Sequence, residues 1–184
     1  AIIYELHIRD FTISPTSGVT NKGKFLGVVE EGTLSVNGDR TGLDYLKELG
    51  VSHVQILPMA DFCTVNVLKP LEQYNWGYDP QNFNVPEGSY ATNPYQPEVR
   101  ILEMKEMIQG LHDAGIRVIM DVVYNHVYLP KLHALEKTVP GYYFRKNTDG
   151  TLSNGTGVGN DTASERYMMR KYIIDSITYW AKNF

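Results

Sequence analysis

The sequence has one cysteine, no long apolar run and no block of basic residues, and each shortage excludes a class of protein. A single cysteine in 184 residues excludes an intrachain disulfide, and Cys63 is expected to be a small buried apolar residue. No run of about 18 apolar residues occurs, so this segment contains no membrane-spanning helix. A net charge of −4 without a basic patch argues against nucleic acid as a partner.

The remaining composition is that of an ordinary globular domain. Apolar residues make up 42% of the chain and charged residues 21%, which is enough for one packed core. The chain begins at Ala1 without a methionine, inside a strand-like run, and stops at Phe184 within a helical pattern. We therefore expect an excerpt from a longer polypeptide, whose targeting signals cannot be read, so that a cytoplasmic and a secreted location both stay open.

Strand and helix patterns alternate along the chain. Runs of β-branched and aromatic residues predict strands, and apolar residues every three or four positions predict helices. The predicted strands span residues 2–11, 51–57 and 116–123, and the predicted helices span 41–49, 97–115 and a segment after Thr162 and Glu165. Thr162 and Glu165 form a capping-box pattern, and the helix that follows carries one apolar stripe of Ile173, Ile177, Trp180 and Phe184. This order predicts an α/β fold of right-handed parallel units.

The loops that follow the predicted strands are long, and those that follow the helices are short. Residues 12–40 and 59–96 follow the first two strands, whereas each helix returns to the next strand through little more than a glycine. Long loops at the carboxyl ends of parallel strands carry the sites of barrels and open sheets. Neither loop contains the glycine-rich patterns that cradle nucleotide phosphates, so a sugar-binding barrel is favoured.

Residues 74–80, with the sequence Tyr-Asn-Trp-Gly-Tyr-Asp-Pro, concentrate aromatic and polar side chains in the second long loop. Sugar rings stack on aromatic side chains, and sugar hydroxyls need donors and acceptors such as those of Asn and Asp. The same run could instead cover the edge of a core. Composition alone is compatible with both interpretations.

The end of the third predicted strand is also polar. Asp121, Val123 and Asn125 point to one side by the two-residue period of a strand, and His126 lies where the loop begins. An inward-pointing Asp121 requires a partner such as an Arg or backbone donors. His126 could equally be a hydrogen-bonded surface residue. The Asp and Asn oxygens could ligate calcium, although such sites need six or more oxygens and only one or two are visible.

Several of these segments, in the same order along the chain, resemble type I pullulanases of the α-amylase superfamily. The resemblance extends over essentially the whole sequence and is carried by residues 4–11, 74–80, 86–90, 121–126, 139–143, 153–155 and 159–166. It implies that residues 1–184 are the N-terminal portion of a (β/α)8 TIM barrel, namely its first three βα units with long βα loops. It also implies hydrolysis of α-1,6-glucosidic links in pullulan, starch or glycogen with retention of configuration. No cofactor is implied as required, and a structural calcium ion stays open.

The resemblance further implies how the substrate is bound. Tyr78 is expected to stack beneath the sugar on the non-reducing side of the cleaved bond, and His126 to hydrogen-bond the hydroxymethyl oxygen of that sugar. Asp121 is expected to brace the mouth of the strand, and Asn125 to orient the neighbouring loop.

Trp76 and Asp79 are expected to shape the cleft around the sugar. A purely structural role is the alternative for both residues. Trp76 could pack inward, and Asp79 could make an Asx-type turn with the proline that follows it.

No catalytic residue is expected in this chain. A retaining glycosidase needs two carboxyl groups about 5 Å apart, and the resemblance places the nucleophilic Asp and the acid/base Glu in a fourth and a fifth strand, after Phe184. Asp10, Asp61 and Asp161 match no catalytic motif and are expected to cap helices or brace loops. The chain alone is therefore expected to be inactive, with an α-glucan and the remainder of the barrel as its partners.

Two alternatives stay open. An isoamylase, a branching enzyme or a glucan transferase would share the barrel, although the complete 74–80 run favours a pullulanase. A noncatalytic barrel that binds glycans would lack the nucleophile. A strand after Phe184 that contains an Arg, one further residue and an Asp would support an enzyme.

Overall fold

The computed structural model describes residues 1–70 and 72–184, which form two compact units. The first unit comprises Ala1–Met59, Thr64–Trp76 and Pro86–Asp121, and the second comprises Ala60–Cys63, Gly77–Val85 and Val122–Phe184. Within these described ranges, no helix combines the length and the apolar character needed to cross a membrane.

The described residues contain both strands and helices. The strands are β1 (Ile3–Leu6), β2 (His53–Ile56), β3 (Ala60–Phe62), β4 (Pro80–Pro86) and β5 (Arg117–Met120). The α-helices are α1 (Ile8–Thr12), α2 (Phe25–Val28), α3 (Gly42–Leu49), α4 (Pro97–Asp113), α5 (Ala134–Thr138) and α6 (Tyr167–Asn183), and a short 3-10 helix spans Gly88–Tyr90.

The first unit is built on a parallel sheet in the order β1-β2-β5. Leu6, Ile56 and Met120 are in register at the carboxyl ends of the three strands, so the chain leaves all of them at the same edge. Helix α3 precedes β2 and helix α4 precedes β5, as the sequence pattern predicts. Pro97 is the first residue of α4, where its missing N–H costs nothing.

The first predicted strand is wrong beyond Leu6. Residues 8–12 form helix α1 instead, and His7 is its N-cap. The Nδ1 atom of His7 accepts a hydrogen bond from the Asp10 backbone N–H at 3.3 Å. Because this contact satisfies a backbone donor that would otherwise be free at the helix start, it favours the turn from strand to helix.

The second unit contains regular structure inside the segment 59–96, which the sequence predicts as a loop. Strands β3 and β4 form a two-stranded sheet, and Phe83 of β4 packs with Val127 and Phe144 in a small core. Cys63 is half-buried rather than buried, and its Sγ donates to Oε1 of Gln81 at 2.8 Å.

The predicted start of helix α6 is wrong, and its predicted apolar stripe is confirmed only in part, since Trp180 is buried and Ile173 and Phe184 are half-buried. Its N-cap is Arg166, and no side chain caps it. Glu165 pairs with Arg145 at 2.7 Å rather than with the helix start. The buried face carries Ser176 and Trp180, whereas Ile177 is 48% exposed. Tertiary contacts override the local cap pattern here, since Glu165 has a charged partner in another segment.

Candidate functional site

His126 lies in the irregular segment that follows β5 and is buried, with 6% of its surface exposed. Its Nε2 is 2.9 Å from the carbonyl oxygen of Tyr78. Since a carbonyl only accepts, Nε2 is the donor in this contact. The Nδ1 atom of the ring is buried and has no hydrogen-bond partner among the described residues. The structure thus joins the two residues for which the sequence predicts direct sugar contacts.

Tyr78 presents an exposed ring on a fixed backbone. Its residue is 38% exposed. The Asp79 carbonyl accepts from the Cys63 N–H at 2.9 Å, and the Pro80 carbonyl accepts from the Tyr128 N–H at 3.0 Å. An aromatic face held by backbone hydrogen bonds on the residues that follow it is suited to stacking against a flat apolar surface.

The first unit contains the other half of the aromatic run, residues 74–76. The hydroxyl of Tyr74 donates to Oδ2 of Asp10 at 2.7 Å, and the Arg9 guanidinium lies 5.4 Å from the centre of its ring. Tyr74 therefore fixes the loop to helix α1. Trp76 is 62% exposed, so the structure does not place it in a core.

The His7 ring contacts residues 74 and 75 and helps to hold them in place. Its Nε2 lies 3.0 Å from the Asn75 carbonyl oxygen and 3.0 Å from the Tyr90 hydroxyl. Burial lowers the pKa of His7, against the opposing charge of Asp10. Burial likewise raises the pKa of the Tyr90 hydroxyl. The neutral imidazole is therefore the form that the fold favours, with Nδ1 free to cap helix α1.

Asp121 directly follows β5, and Asn125 lies four positions further along the chain. Asp121 is half-buried, and its N–H donates to the Ile56 carbonyl at 3.1 Å, which continues the pairing of β5 with β2 by one residue. Asn125 is exposed and lines a cleft of about 490 Å³ together with Tyr124, Arg145 and Asp161. The bracing and loop-orienting roles of these two residues remain predictions.

The remaining carboxylates make the local contacts expected of them. Asp61 accepts from Nδ2 of Asn82 at 2.6 Å. Asp161 is buried, and hydrogen bonds from the Ser153 hydroxyl and from two backbone N–H groups hold its pKa well below the usual range. Among residues 1–70 and 72–184, no group of three or more His, Cys, Asp or Glu side chains is placed to hold a metal ion. A structural calcium ion remains a prediction.

Sequence reasoning missed the contacts of three polar residues: His7 in the first unit, and Asn160 and Thr162 in the second. His7 was assigned to a strand, because strand periodicity does not reveal a histidine that caps a helix. Asn160 and Thr162 lie in the 159–166 segment, where the sequence shows a family resemblance and a capping-box pattern at Thr162 but no sign of contacts with residues 124–127. Their contacts join segments far apart in the chain, so no local pattern could have found them.

Comparison with known proteins defines the class. Residues 12–146 match the family described as "Alpha amylase, catalytic domain". With the parallel sheet and the long loops at its carboxyl edge, this match defines an α/β barrel-type protein. The chain belongs to the alpha-amylase catalytic-domain family.

Individual relatives are similar over the full chain. A pullulanase of Bacillus subtilis (strain 168) is 55% identical over 100% of the chain. A chloroplastic isoamylase 3 of Oryza sativa subsp. japonica is 30% identical over 100% of the chain. The crystal structure of a pullulanase complexed with maltotetraose, from Anoxybacillus sp. LM18-11, is 58% identical and superposes over 100% of the chain with a TM-score of 0.97. The chain spans only 26%, 24% and 27% of the lengths of these three proteins.

Proposed function

We propose that the protein carrying this chain is a debranching glycoside hydrolase that cleaves α-1,6-glucosidic links in pullulan, starch or glycogen with retention of configuration. The supporting observation is its 58% identity, over the full chain, to a pullulanase crystallised with maltotetraose. In this proposal, residues 1–184 supply the first three βα units of a (β/α)8 barrel. An α-glucan is the substrate.

Tyr78 and His126 are proposed to bind one sugar of the substrate. The exposed Tyr78 ring stacks on the C–H face of the sugar, and His126 bonds the hydroxymethyl oxygen. Because Nε2 of His126 is engaged by the Tyr78 carbonyl, Nδ1 is the atom left to accept a sugar hydroxyl. Since that atom is buried, a small rotation of the ring is expected on binding.

The other proposed binding residues shape the space around that sugar. Trp76 adds an exposed aromatic face, and Asp79 belongs to the same loop. Asp121 braces the strand end, and Asn125 orients the loop beside it. The two carboxyl groups that a retaining mechanism needs, about 5 Å apart, are assigned to strands beyond Phe184. The segment described here therefore binds the substrate, and the cleaving groups come from the rest of the barrel.

Release of reducing sugar from pullulan by the complete polypeptide tests the proposal. We expect release from pullulan and none from a linear α-1,4-linked maltooligosaccharide, which is the matched control. The new reducing end should first appear as the α-anomer in proton NMR, because the mechanism retains configuration. A folded protein that releases nothing from pullulan contradicts the proposal.

An isoamylase is the second candidate, because a plant isoamylase 3 is 30% identical over the full chain. Parallel assays on glycogen and pullulan distinguish the two. Release from glycogen alone favours the isoamylase. Binding of maltotetraose without hydrolysis of either polymer favours a noncatalytic glycan-binding barrel.

A further inference from the structure

The backbone around His126 is held by side chains from a distant segment of the second unit. The Thr162 N–H donates to the Asn125 carbonyl at 2.9 Å, and the Thr162 hydroxyl donates to the Tyr124 carbonyl at 2.5 Å. The Val127 N–H donates to Oδ1 of Asn160 at 3.1 Å, and Nδ2 of Asn160 donates back to the Val127 carbonyl at 2.7 Å. Residues on both sides of His126 are therefore fixed by the segment 160–162.

The side-chain amide of Asn160 pairs with the backbone of Val127 as the backbone of a neighbouring strand would. It satisfies both the N–H and the carbonyl of Val127, and both residues are buried, with exposures of 2% and 0%. Only an amide side chain offers a donor and an acceptor side by side at this length. The segment that carries Asn160 is itself rigidified, because the Asp161 carboxylate accepts from Ser153, Gly155 and Thr156.

The direction of the His126 ring depends on this backbone. The side chain makes one polar contact, from Nε2 to the Tyr78 carbonyl, and its Nδ1 has no partner among the described residues. A ring held at one nitrogen is otherwise oriented by the position of its own backbone and by packing. We infer that Asn160 is a positioning residue, which sets where His126 points through its two hydrogen bonds to Val127. This inference rests on the proposed function in assigning His126 to the sugar.

Asn160→Asp in the complete polypeptide tests the inference. The substitution keeps the size and the acceptor for the Val127 N–H, but it replaces the donor with an oxygen that faces the Val127 carbonyl. A buried acceptor then loses its partner and meets a carboxylate, so the residues around Val127 must move. Asn154→Asp is the matched control, since exposed Asn154 accepts from the Gly159 N–H through Oδ1, which an aspartate retains.

Crystal structures of the wild type and both variants give the first readout. We expect the His126 ring to shift and its bond to the Tyr78 carbonyl to lengthen in Asn160→Asp but not in Asn154→Asp. An unchanged ring position in Asn160→Asp overturns the inference. This readout needs no activity, so it decides the inference even if pullulan is not the substrate.

Hydrolysis of pullulan gives the second readout. Asn160→Asp should lower kcat/KM about 10- to 100-fold, by analogy with the loss that follows when the hydrogen-bonded support of a metal-ligating histidine is removed. In a His126→Ala background the same substitution should change kcat/KM by no more than about twofold, because its effect passes through that histidine. The same large factor in both backgrounds overturns the inference and assigns Asn160 a general structural role.

Failure of the proposed function and failure of the positioning role of Asn160 can be told apart. A folded wild type without pullulan hydrolysis rejects the proposed function, whereas loss of coupling in an active wild type rejects only the positioning role. If Asn160→Asp does not fold, Asn160→Ser replaces it in both readouts. That variant removes the amide that bonds both the N–H and the carbonyl of Val127. It should displace His126 in the same way, and an unmoved ring overturns the inference.

Discussion

Single side chains within the 74–80 run differ in what surrounds them. The Tyr74 hydroxyl is hydrogen-bonded to Asp10 and its ring faces Arg9, so this tyrosine anchors the loop. Tyr78 and Trp76 are 38% and 62% exposed, and the segment that carries Tyr78 is held by backbone contacts. All three aromatic residues are therefore exposed, Tyr74 to 47%, and Tyr74 is in addition tied to helix α1 through its hydroxyl.

Tyr78→Ala in the complete polypeptide should lower kcat/KM on pullulan. Removing a ring that stacks on a substrate costs about 1–3 kcal/mol by analogy with other stacking contacts, which is roughly a 5- to 150-fold loss. Tyr74→Phe is the control, because it removes the bond to Asp10 and leaves the ring in place. Normal kinetics in Tyr78→Ala would mean that the ring is only structural.

His7 should make stability depend on pH. Its folded pKa lies below the ordinary value of 6.5 because the ring is buried. As the pH falls through 6.5, the unfolded chain takes up the proton before the folded one, so the contribution of His7 is complete above that pH and declines below it. His7→Asn keeps an N-cap acceptor and does not titrate. The thermal midpoint of the wild type should fall more than that of His7→Asn between about pH 7.5 and about pH 5.5.

His133 does not affect the comparison of pH dependence between the wild type and His7→Asn. Burial also lowers its pKa, but it is present in both proteins and its effect cancels. Equal pH dependence in the wild type and in His7→Asn would show that the buried imidazole does not favour the neutral form.

At the scale of elements, helix α6 attaches to strand β4 through polar contacts as well as apolar packing. Nε1 of Trp180 donates to the Phe83 carbonyl at 2.9 Å. The Ser176 hydroxyl is buried and bonds both Oδ1 of Asn84 and the hydroxyl of Tyr124, the latter at 2.6 Å. A helix fixed by such contacts fits one position along its partner, because sliding it would leave buried polar groups unpaired.

Trp180→Phe should therefore destabilise the protein beyond the loss of ring area. The substitution leaves the buried Phe83 carbonyl without the indole donor, which costs about 1–3 kcal/mol of unfolding free energy. Thermal or urea unfolding of the complete polypeptide measures it. Tyr167→Phe, at the 73% exposed start of the same helix, is the control and should change stability little. Equal stability of Trp180→Phe and the wild type would contradict the structural role of this bond.

At the scale of the whole molecule, the parallel sheet has two open edges. Among the described residues, β1 and β5 each pair only with β2. Ile2 and Ile3, at the β1 edge, are 61% and 54% exposed. Unpaired backbone groups next to exposed apolar side chains are a template for pairing with further strands.

The isolated 184 residues should accordingly self-associate and should not hydrolyse pullulan. Size-exclusion chromatography and circular dichroism measure the association and the unfolding transition, with the complete polypeptide as the control. A monomeric, cooperatively unfolding species would contradict this expectation. Pullulan hydrolysis by the isolated chain would contradict the assignment of the catalytic carboxylates to later strands.

The sequence by itself determined the three strands of the parallel sheet and the helices that precede the second and the third of them. Pro97 marks the start of α4, and the apolar run before Asp121 marks the third strand of the parallel sheet, because both signals are local. It also located Tyr78 and His126 as candidate sugar contacts. It did not reveal the helix after His7, since a side-chain cap outweighed the strand period there.

Only the tertiary structure decided how the site is held together. The contact between His126 and Tyr78 joins residues 48 positions apart, and the contact between Asn160 and Val127 joins residues 33 apart. Periodicity and capping patterns describe neighbours within a few positions, whereas these hydrogen bonds form only once the loops have been brought together by packing. The residue types suited to binding a sugar are thus visible in the sequence, and the hydrogen bonds that hold their backbone are visible in the fold.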